Sequence, residues 1–264
     1  MGQLNWNVEF WNNILKKANP QAWPNLIVGS ALRIGDYGPL PSVSSGFRYA
    51  GNIFVDGIAS ASSTQGPAAN WSASSGQFQQ KAAGLSISGE FWDPETASEV
   101  TAGLEWSWLF TGGESIIANL PVVNVTELSS PAQVMQGIGP SSPLFQAAAA
   151  LGYTSNNQIK PNFALVTATF TVAAGVVICT TAKNQLYSIT GAASGMDLLM
   201  SGQVGGYYTE YSQIDDTQTW IVPPDGVAPT DPVPAVASSA AQATIGYVVW
   251  TWNGKGGFGQ YQPH

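Results

Sequence analysis

The chain has one histidine, and it is the last of 264 residues. A Ser-His-Asp triad, a Cys-His pair or a histidine zinc site needs an imidazole held in a structured pocket, and chain termini usually fray. His264 is therefore read as chemically idle. The one cysteine, Cys179, lies in the apolar run AGVVICTT. A thiol there behaves as a small hydrophobe, and a single cysteine allows no intrachain disulfide. Charge is scarce too: 9% of residues are charged, where about a quarter is usual. Eight Lys and Arg stand against 16 Asp and Glu, for a net charge of −8. So few scattered cations cannot neutralise a phosphate backbone, which excludes nucleic acid as a partner. The phosphate-cradling GxxxxGK[ST], the GxSxG elbow and the EF-hand loop are all absent. No metal, no cofactor and no nucleophile-based enzyme is expected.

What is present suffices for a core, with 44% apolar residues. No clean linker divides the chain. We read one domain over 1–264, with a β-rich core at 20–252 and a flexible tail at 253–264. Trp6, Phe10 and Ile14 recur at four-residue spacing, widened by Trp11 and Leu15, so an amphipathic helix opens the chain. Lys16 and Lys17 suit its C-terminal dipole, and Pro20 blocks its extension. Such a helix either docks on a sheet or lies in a membrane interface, with Trp6, Phe10 and Trp11 as lipid contacts. The first 20 residues lack the basic start and apolar stretch of a signal peptide. The expectation is a cytoplasmic protein before membrane association, or one exported without a cleaved signal.

LIVGSALRI and GFRYAGNIFVD read as strands around the loop GDYGPLPSVSSG, and residues 59–77 read as a long mobile loop holding Trp71. The clearest pattern is AGLSISGEFWDPETASEVTAGLEWSWLF. Its second arm alternates Val100, Ala102, Leu104, Trp106, Trp108 and Phe110 with Glu99, Thr101, Gly103, Glu105 and Ser107. With a turn at Asp93-Pro94-Glu95-Thr96, this predicts a long amphipathic β-hairpin. SIIANLPVVNVTEL follows as a strand with an edge or bulge at Pro121. PAQVMQGIG and SPLFQAAAALGY read as a short helical pair, begun by Pro131 and Pro143 and ended near Gly137 and Gly152. NFALVTATFTVAAGVVICTT alternates Thr with apolar residues and reads as a β-arm. NQLYSIT reads as its return across Ala182-Lys183-Asn184, which makes a second hairpin from Phe163 to Ile189. YYTEYS, TQTWIV and ATIGYVVWTW complete the strands, and residues 223–241 read as an extended proline-rich loop.

Between Lys81 and Lys160 there is no cation, yet Glu90, Asp93, Glu95, Glu99, Glu105, Glu114 and Glu127 all fall there. They fit a solvated hairpin face, calcium ligation around Asp93 and Glu95, a glycosidase pair at Glu90 and Glu105, or the lumen of a barrel. In the last reading Leu104, Trp106, Trp108 and Phe110 contact membrane, while Glu90, Glu99 and Glu105 face a cation-favouring lumen. A transmembrane β-arm needs about 9 to 11 residues with one apolar face and interfacial aromatics, and Val100 to Phe110 meets this. Two such hairpins per copy let protomers close a barrel, which satisfies every backbone group within lipid. The ten tryptophans also suit glycan stacking, with Trp71, Trp92, Trp220, Trp250 and Trp252 as candidates.

TWIVPPDG followed by ATIGYVVW resembles the end of the gasdermin pore-forming domain. There a threonine-rich strand, an IPxG turn and an aliphatic-Ala/Gly-Tyr strand occur together. Ile221, Pro223, Gly226, Gly246 and Tyr247 hold the matching residue types, with proline-rich 227–241 between the two halves. The resemblance implies membrane binding through basic residues, of which the first 48 positions hold Lys16, Lys17, Arg33 and Arg48. The expected fold is a β-rich α+β one: a twisted, mainly antiparallel sheet with an N-terminal amphipathic helix and a short central helical pair. The expected function is that of a non-enzymatic, membrane-active homo-oligomer that forms pores with two β-hairpins. The alternatives are a β-rich glycan-binding or self-assembling interaction protein, and a carboxylate-dependent glycosidase.

Overall fold

The computed structural model describes the chain outside residues 1–5, 27–31, 41, 44–45, 61–62, 72, 83–103, 121–122, 173–174, 182, 192–207, 212–216, 223–242, 254, 256 and 264. It is strand-rich with antiparallel sheets and a short N-terminal helix, the β-rich α+β class expected. The chain packs into two compact units, each assembled from separate stretches. The first takes Met1–Ala68, Asn124–Thr171 and Thr244–His264; the second takes Ala69–Val123 and Val172–Ala243.

The first unit opens with α1 (Trp6–Phe10), which continues through a π-helical turn (Trp11–Leu15) into α2 (Lys16–Ala18). The four-residue spacing buries Phe10, Ile14 and Leu15. Then come β1 (Trp23–Pro24), β2 (Asp36–Pro39), β3 (Gly51–Asn52) and β4 (Ser63–Gln65). The second unit holds β5 (Ala73–Ala82) and β6 (Leu104–Asn119). Back in the first lie β7 (Asn124–Leu128), α3 (Pro131–Gln136), α4 (Pro143–Ala150), the small hairpin β8 (Thr154–Ser155) and β9 (Gln158–Ile159), and β10 (Phe163–Val172). The second unit then takes β11 (Gly175–Thr180), β12 (Gln185–Gly191), β13 (Tyr208–Tyr211) and β14 (Thr217–Val222). The first ends with β15 (Ala243–Trp252) and β16 (Phe258–Tyr261).

The first unit's sheet has the order β1-β15-β10-β2-β3, with β16 also on β15, β7 also on β10, and β4 on β7. Its core joins Tyr37, Phe163, Leu165 and Trp252 of the sheet to Met135, Leu144 and Phe145 of the helical pair. Each such side chain taken out of water contributes about 1.5–3 kcal/mol. Both helices begin with proline, and at α4 the Ser142 hydroxyl accepts a hydrogen bond from the Phe145 N–H at 3.2 Å. Gly152 ends α4 at φ +79°, a left-handed position suited to glycine.

Several expectations are corrected here. GDYGPLPSVSSG is not all loop, because Asp36–Pro39 pairs with both β10 and β3. GFRYAGNIFVD contributes strand only at Gly51–Asn52. Beyond it the Asn52 side chain accepts from the Phe54 N–H at 3.0 Å, which turns the chain instead of extending it. Within residues 59–77, Ser63–Gln65 and the start of β5 are strand, and Trp71 is buried. The tail is not frayed either. Phe258–Tyr261 pairs with β15, Tyr261 stacks on Trp23 with centroids 6.1 Å apart, and Phe258 stacks on Trp250. Its glycines suggested freedom, but its aromatics found partners.

Candidate functional site

The second unit's sheet has the order β13-β12-β6-β11-β14, with β5 on the other edge of β6. Along β6, β11 pairs from Val176↔Asn119 to Thr180↔Ser115, and β12 pairs from Gln185↔Phe110 to Gly191↔Leu104, all antiparallel. Five positions separate Thr180 from Gln185 and five separate Ser115 from Phe110, so one register runs the whole length of β6. The expected return at Ala182-Lys183-Asn184 is therefore corrected. Asn184 takes φ +55° and both Lys183 and Asn184 are exposed, but the chain resumes its direction beside β6. The exposed Lys183 and Asn184 bend the strand there, and β6 supplies backbone partners on both sides of the bend. β11 and β12 together form one long arm. Its return is β13 with β14, paired from Ile189↔Tyr211 to Gly191↔Tyr208 and from Gly175↔Val222 to Thr180↔Thr217.

The other pair of arms is β5 with β6, from Ala73↔Ala118 to Ala82↔Ser107. The alternating strand expected from Val100 to Phe110 is described from Leu104 and extends to Asn119. The expected turn at Asp93-Pro94-Glu95-Thr96 lies outside the described residues. Four antiparallel arms thus lie side by side: β5, β6, β11 with β12, and β13 with β14. The strand ends Ala82, Leu104, Gly191 and Tyr208 share one end of the sheet.

β5, β6 and the arm of β11 with β12 are interrupted at one height. On β5, Gly76 takes φ +107°, and between Ser75↔Ile116 and Gln77↔Gly112 two steps of β5 span four of β6. A Cβ at Gly76 would stand 2.6 Å from the Glu114 carbonyl oxygen, so only glycine fits. Gly112 and Gly113 follow at φ +155° and +74° on β6, and the bend at Lys183 and Asn184 sits on the third arm. Between the second pair of arms, nine positions from Thr180 to Ile189 stand against six from Tyr211 to Thr217. On one side of this seam Ile116, Ile117, Val177 and Ile178 are buried.

On the other side the rows of the register alternate in kind. Leu104 shares its row with Gly191 and Tyr208, Trp106 with Ile189 and Tyr211, and Trp108 with Tyr187 and Gln80. Between them lie Glu105 with Thr190 and Glu210, and Ser107 with Ser188 and Ala82. Alternate rows of a pleated sheet belong to opposite faces. Ile189, Thr190, Glu210 and Tyr211 escaped the sequence reading as site residues. The alternation in NQLYSIT and YYTEYS marked strands, but nothing local showed that both lie in register with Leu104 to Trp108.

Glu90 and Glu99 lie outside the described residues. Phe110 is on β6 and fully buried, opposite Gln185 and Phe78. Trp6 belongs to α1, while Phe10 and Trp11 are buried in the first unit, with the Lys16 ammonium 4.8 Å from the Trp11 ring centre. The helix is thus docked, and lipid contact from Phe10 or Trp11 requires it to leave its seat. Of the glycan candidates, Trp71 and Trp252 are buried and Trp250 is half-covered by Phe258. Trp220, on β14, pairs with Val177 of β11, and Trp92 lies outside the described residues. Glu105 has Thr190 as its partner on β12, so the described register brings it no second carboxylate on that neighbouring strand. Among the described residues no group of three His, Cys, Asp or Glu could hold a metal, and no helix is long and apolar enough to cross a membrane.

The main buried polar cluster lies in the first unit. The Asp36 carboxylate accepts from the Asn52 side-chain amide at 2.7 Å and from the Arg33 N–H at 2.8 Å, and burial pushes its pKa up. Beside it the Tyr37 hydroxyl donates to Asp56 at 2.6 Å, and burial raises its pKa as well. These bonds tie β2 to the turn after β3. The two halves of the TWIVPPDG/ATIGYVVW motif fall in different sheets, Thr217–Val222 on β14 and Ala243–Trp252 on β15. Comparison with protein-family models, with curated proteins and with solved structures finds no match to the chain.

Proposed function

We propose that this protein permeabilises lipid membranes as an oligomer, with its two pairs of β-arms supplying the strands of a closed barrel. The observation that carries the reading is the register of the second sheet from Leu104 to Trp108, in which rows holding Leu, Trp, Ile and Tyr alternate with rows holding Glu, Ser and Thr. A bilayer tolerates strands only when every backbone group is paired, one face is apolar and the other lines water. β6 alone has 16 residues, beyond the 9 to 11 or so that span the hydrocarbon. In the inserted state Leu104, Trp106, Trp108 and Phe110 meet lipid. Glu105 and Glu210, together with Glu90 and Glu99, line the lumen and favour cations. Phe110 is buried in the present state, so insertion includes a rearrangement that uncovers it. Trp6, Phe10 and Trp11 add an interfacial contact once the opening helix undocks. The gasdermin resemblance supports the same reading, and the aromatic-to-acidic row order gives it independent physical grounds.

The direct test is dye release from phosphatidylcholine liposomes, with and without an anionic lipid, at micromolar protein. Release together with ring- or arc-shaped oligomers supports the reading. Intact liposomes in the presence of protein shown to be folded by circular dichroism overturn it.

A further inference from the structure

The turn that joins β15 to β16 closes on one side chain. Asn253 directly follows β15, and its Oδ1 accepts hydrogen bonds from the Lys255 N–H at 2.8 Å and the Gly257 N–H at 2.9 Å. Its own N–H donates to the Gly257 carbonyl at 2.8 Å, and a Cβ on Gly257 would collide with its side-chain amide. Asn253 is nonetheless exposed, so water reaches that amide. The next residue is glycine, and this is the one Asn-Gly pair in the sequence. In any asparagine the following backbone nitrogen can close a five-membered ring on Cγ, and glycine sets no side chain in the way. A side chain whose oxygen bonds the N–H two residues on is already curled over the intervening peptide, which brings the reacting atoms together. The two N–H groups on Oδ1 are also the donors that ring closure calls for, because that oxygen becomes an oxyanion.

We infer that Asn253 is a site of spontaneous covalent modification, with water as co-reactant, and that its two products act oppositely on β16. The Gly254 nitrogen gives its proton to solvent and bonds to Cγ of Asn253. The Cγ–Nδ2 bond then breaks, and Nδ2 leaves as ammonia after taking a proton from solvent. Water opens the resulting imide at either carbonyl, with no change of oxidation state. Opening at Cγ leaves an aspartate, whose charged oxygen keeps and strengthens both hydrogen bonds. Opening at the main-chain carbonyl leaves an isoaspartate, in which the backbone runs through Cγ and is one methylene longer. The turn then loses the acceptor that closes it, beside the pair Trp252↔Phe258. β16 loosens from β15, and with it go the Tyr261 ring stacked on Trp23 and the Tyr261 carbonyl that accepts from Trp23 Nε1 at 3.3 Å.

Incubation of the full chain at mildly alkaline pH reads the conversion, followed by peptide mapping in a mass spectrometer and labelling of isoaspartate with an isoaspartyl methyltransferase. Conversion at Asn253 should run about tenfold faster in the folded protein than in the same chain unfolded in urea, where nothing holds the two donors on Oδ1. Asn156, an exposed turn asparagine followed by Asn157, should stay unconverted over the same period. No conversion at Asn253, or conversion no faster folded than unfolded, overturns the site. Gly254→Ala sets a Cβ beside the attacking nitrogen and should slow the reaction by about tenfold; an unchanged rate overturns the ring-closing route. Hydrogen exchange then separates the products. Asn253→Asp should leave the Phe258–Tyr261 amides as protected as in the wild type, while the isoaspartate fraction, isolated by chromatography, exchanges there about tenfold faster. Equal protection in the isoaspartate form overturns the effect on β16.

Discussion

The two sheets share the same period-two alternation and use it differently. In the first unit β10 is buried along nearly its whole length, threonines included, and the Thr167 hydroxyl donates to the Val248 carbonyl at 3.4 Å. Two helices pack on that sheet through Leu144, Phe145 and Met135. In the second unit the long arms carry no described helix, share a glycine-rich seam and keep acidic and aromatic rows apart. Alternation therefore identifies a strand without saying what covers it. A hydroxyl that ties back to the backbone belongs to a packed core, whereas a carboxylate row beside an aromatic row needs water on one side.

The comparison breaks most readily at the first sheet's centre. Phe163→Ala removes a fully buried ring that contacts Tyr37, Tyr153 and Trp252. It should cost about 3–5 kcal/mol, seen as a large fall in the denaturant midpoint. At the seam, Gly76→Ala forces a side chain into the Glu114–Ser115 backbone at φ +107°. The expected cost is about 1–3 kcal/mol, with hydrogen exchange accelerated in β5 and β6 and unchanged in β10. An equal loss of protection in β10 would show that the two sheets do not open separately.

Leu104→Asp with Trp106→Asp sharpens the contrast in function. Dye release should disappear while the circular dichroism spectrum and most of the stability remain. If these residues instead form ordinary core, the variant will not fold, since a buried unpaired charge costs several kcal/mol. A gentler test is Glu105→Gln with Glu210→Gln, which should leave release intact and lower the cation-to-anion permeability ratio in planar bilayers. An unchanged ratio would remove these carboxylates from the lumen.

The smallest effect concerns Asp36. Burial raises its folded pKa above the ordinary 3.8, so its ionisation opposes folding. The stability it contributes is complete below the unfolded pKa and is lost as pH rises through the raised folded value. Asp36→Asn should flatten the pH dependence of unfolding in that window. It should also cost about 1 kcal/mol for one of the two accepted hydrogen bonds. A variant with the wild-type pH slope would show that Asp36 does not titrate there.

How much was legible follows from the range of each signal. The helical pair announced itself through Pro131, Pro143, Gly137 and Gly152, because caps act within one turn. The opening helix and the alternation from Leu104 to Phe110 were equally local. Misreadings came where a local signal met a distant partner. Ala182-Lys183-Asn184 has the composition of a turn, yet β6 holds the strand straight on either side of it. The glycines around Phe258 suggested a loose tail, yet Trp250 and β15 hold it. Asp36–Pro39 looked like loop until β10 and β3 paired with it.

The amino-acid order by itself determined the opening helix, the helical pair, where charge is withheld and the alternation from Leu104 to Phe110. These properties arise from backbone sterics, capping and residue periodicity within a few positions. Tertiary structure alone decided that β11 and β12 follow one another along β6, and that Thr190 and Glu210 stand in register with Glu105. Strand pairing joins residues as far apart on the chain as Trp23 and Tyr247, and no local pattern specifies which of several compatible strands will be the neighbour.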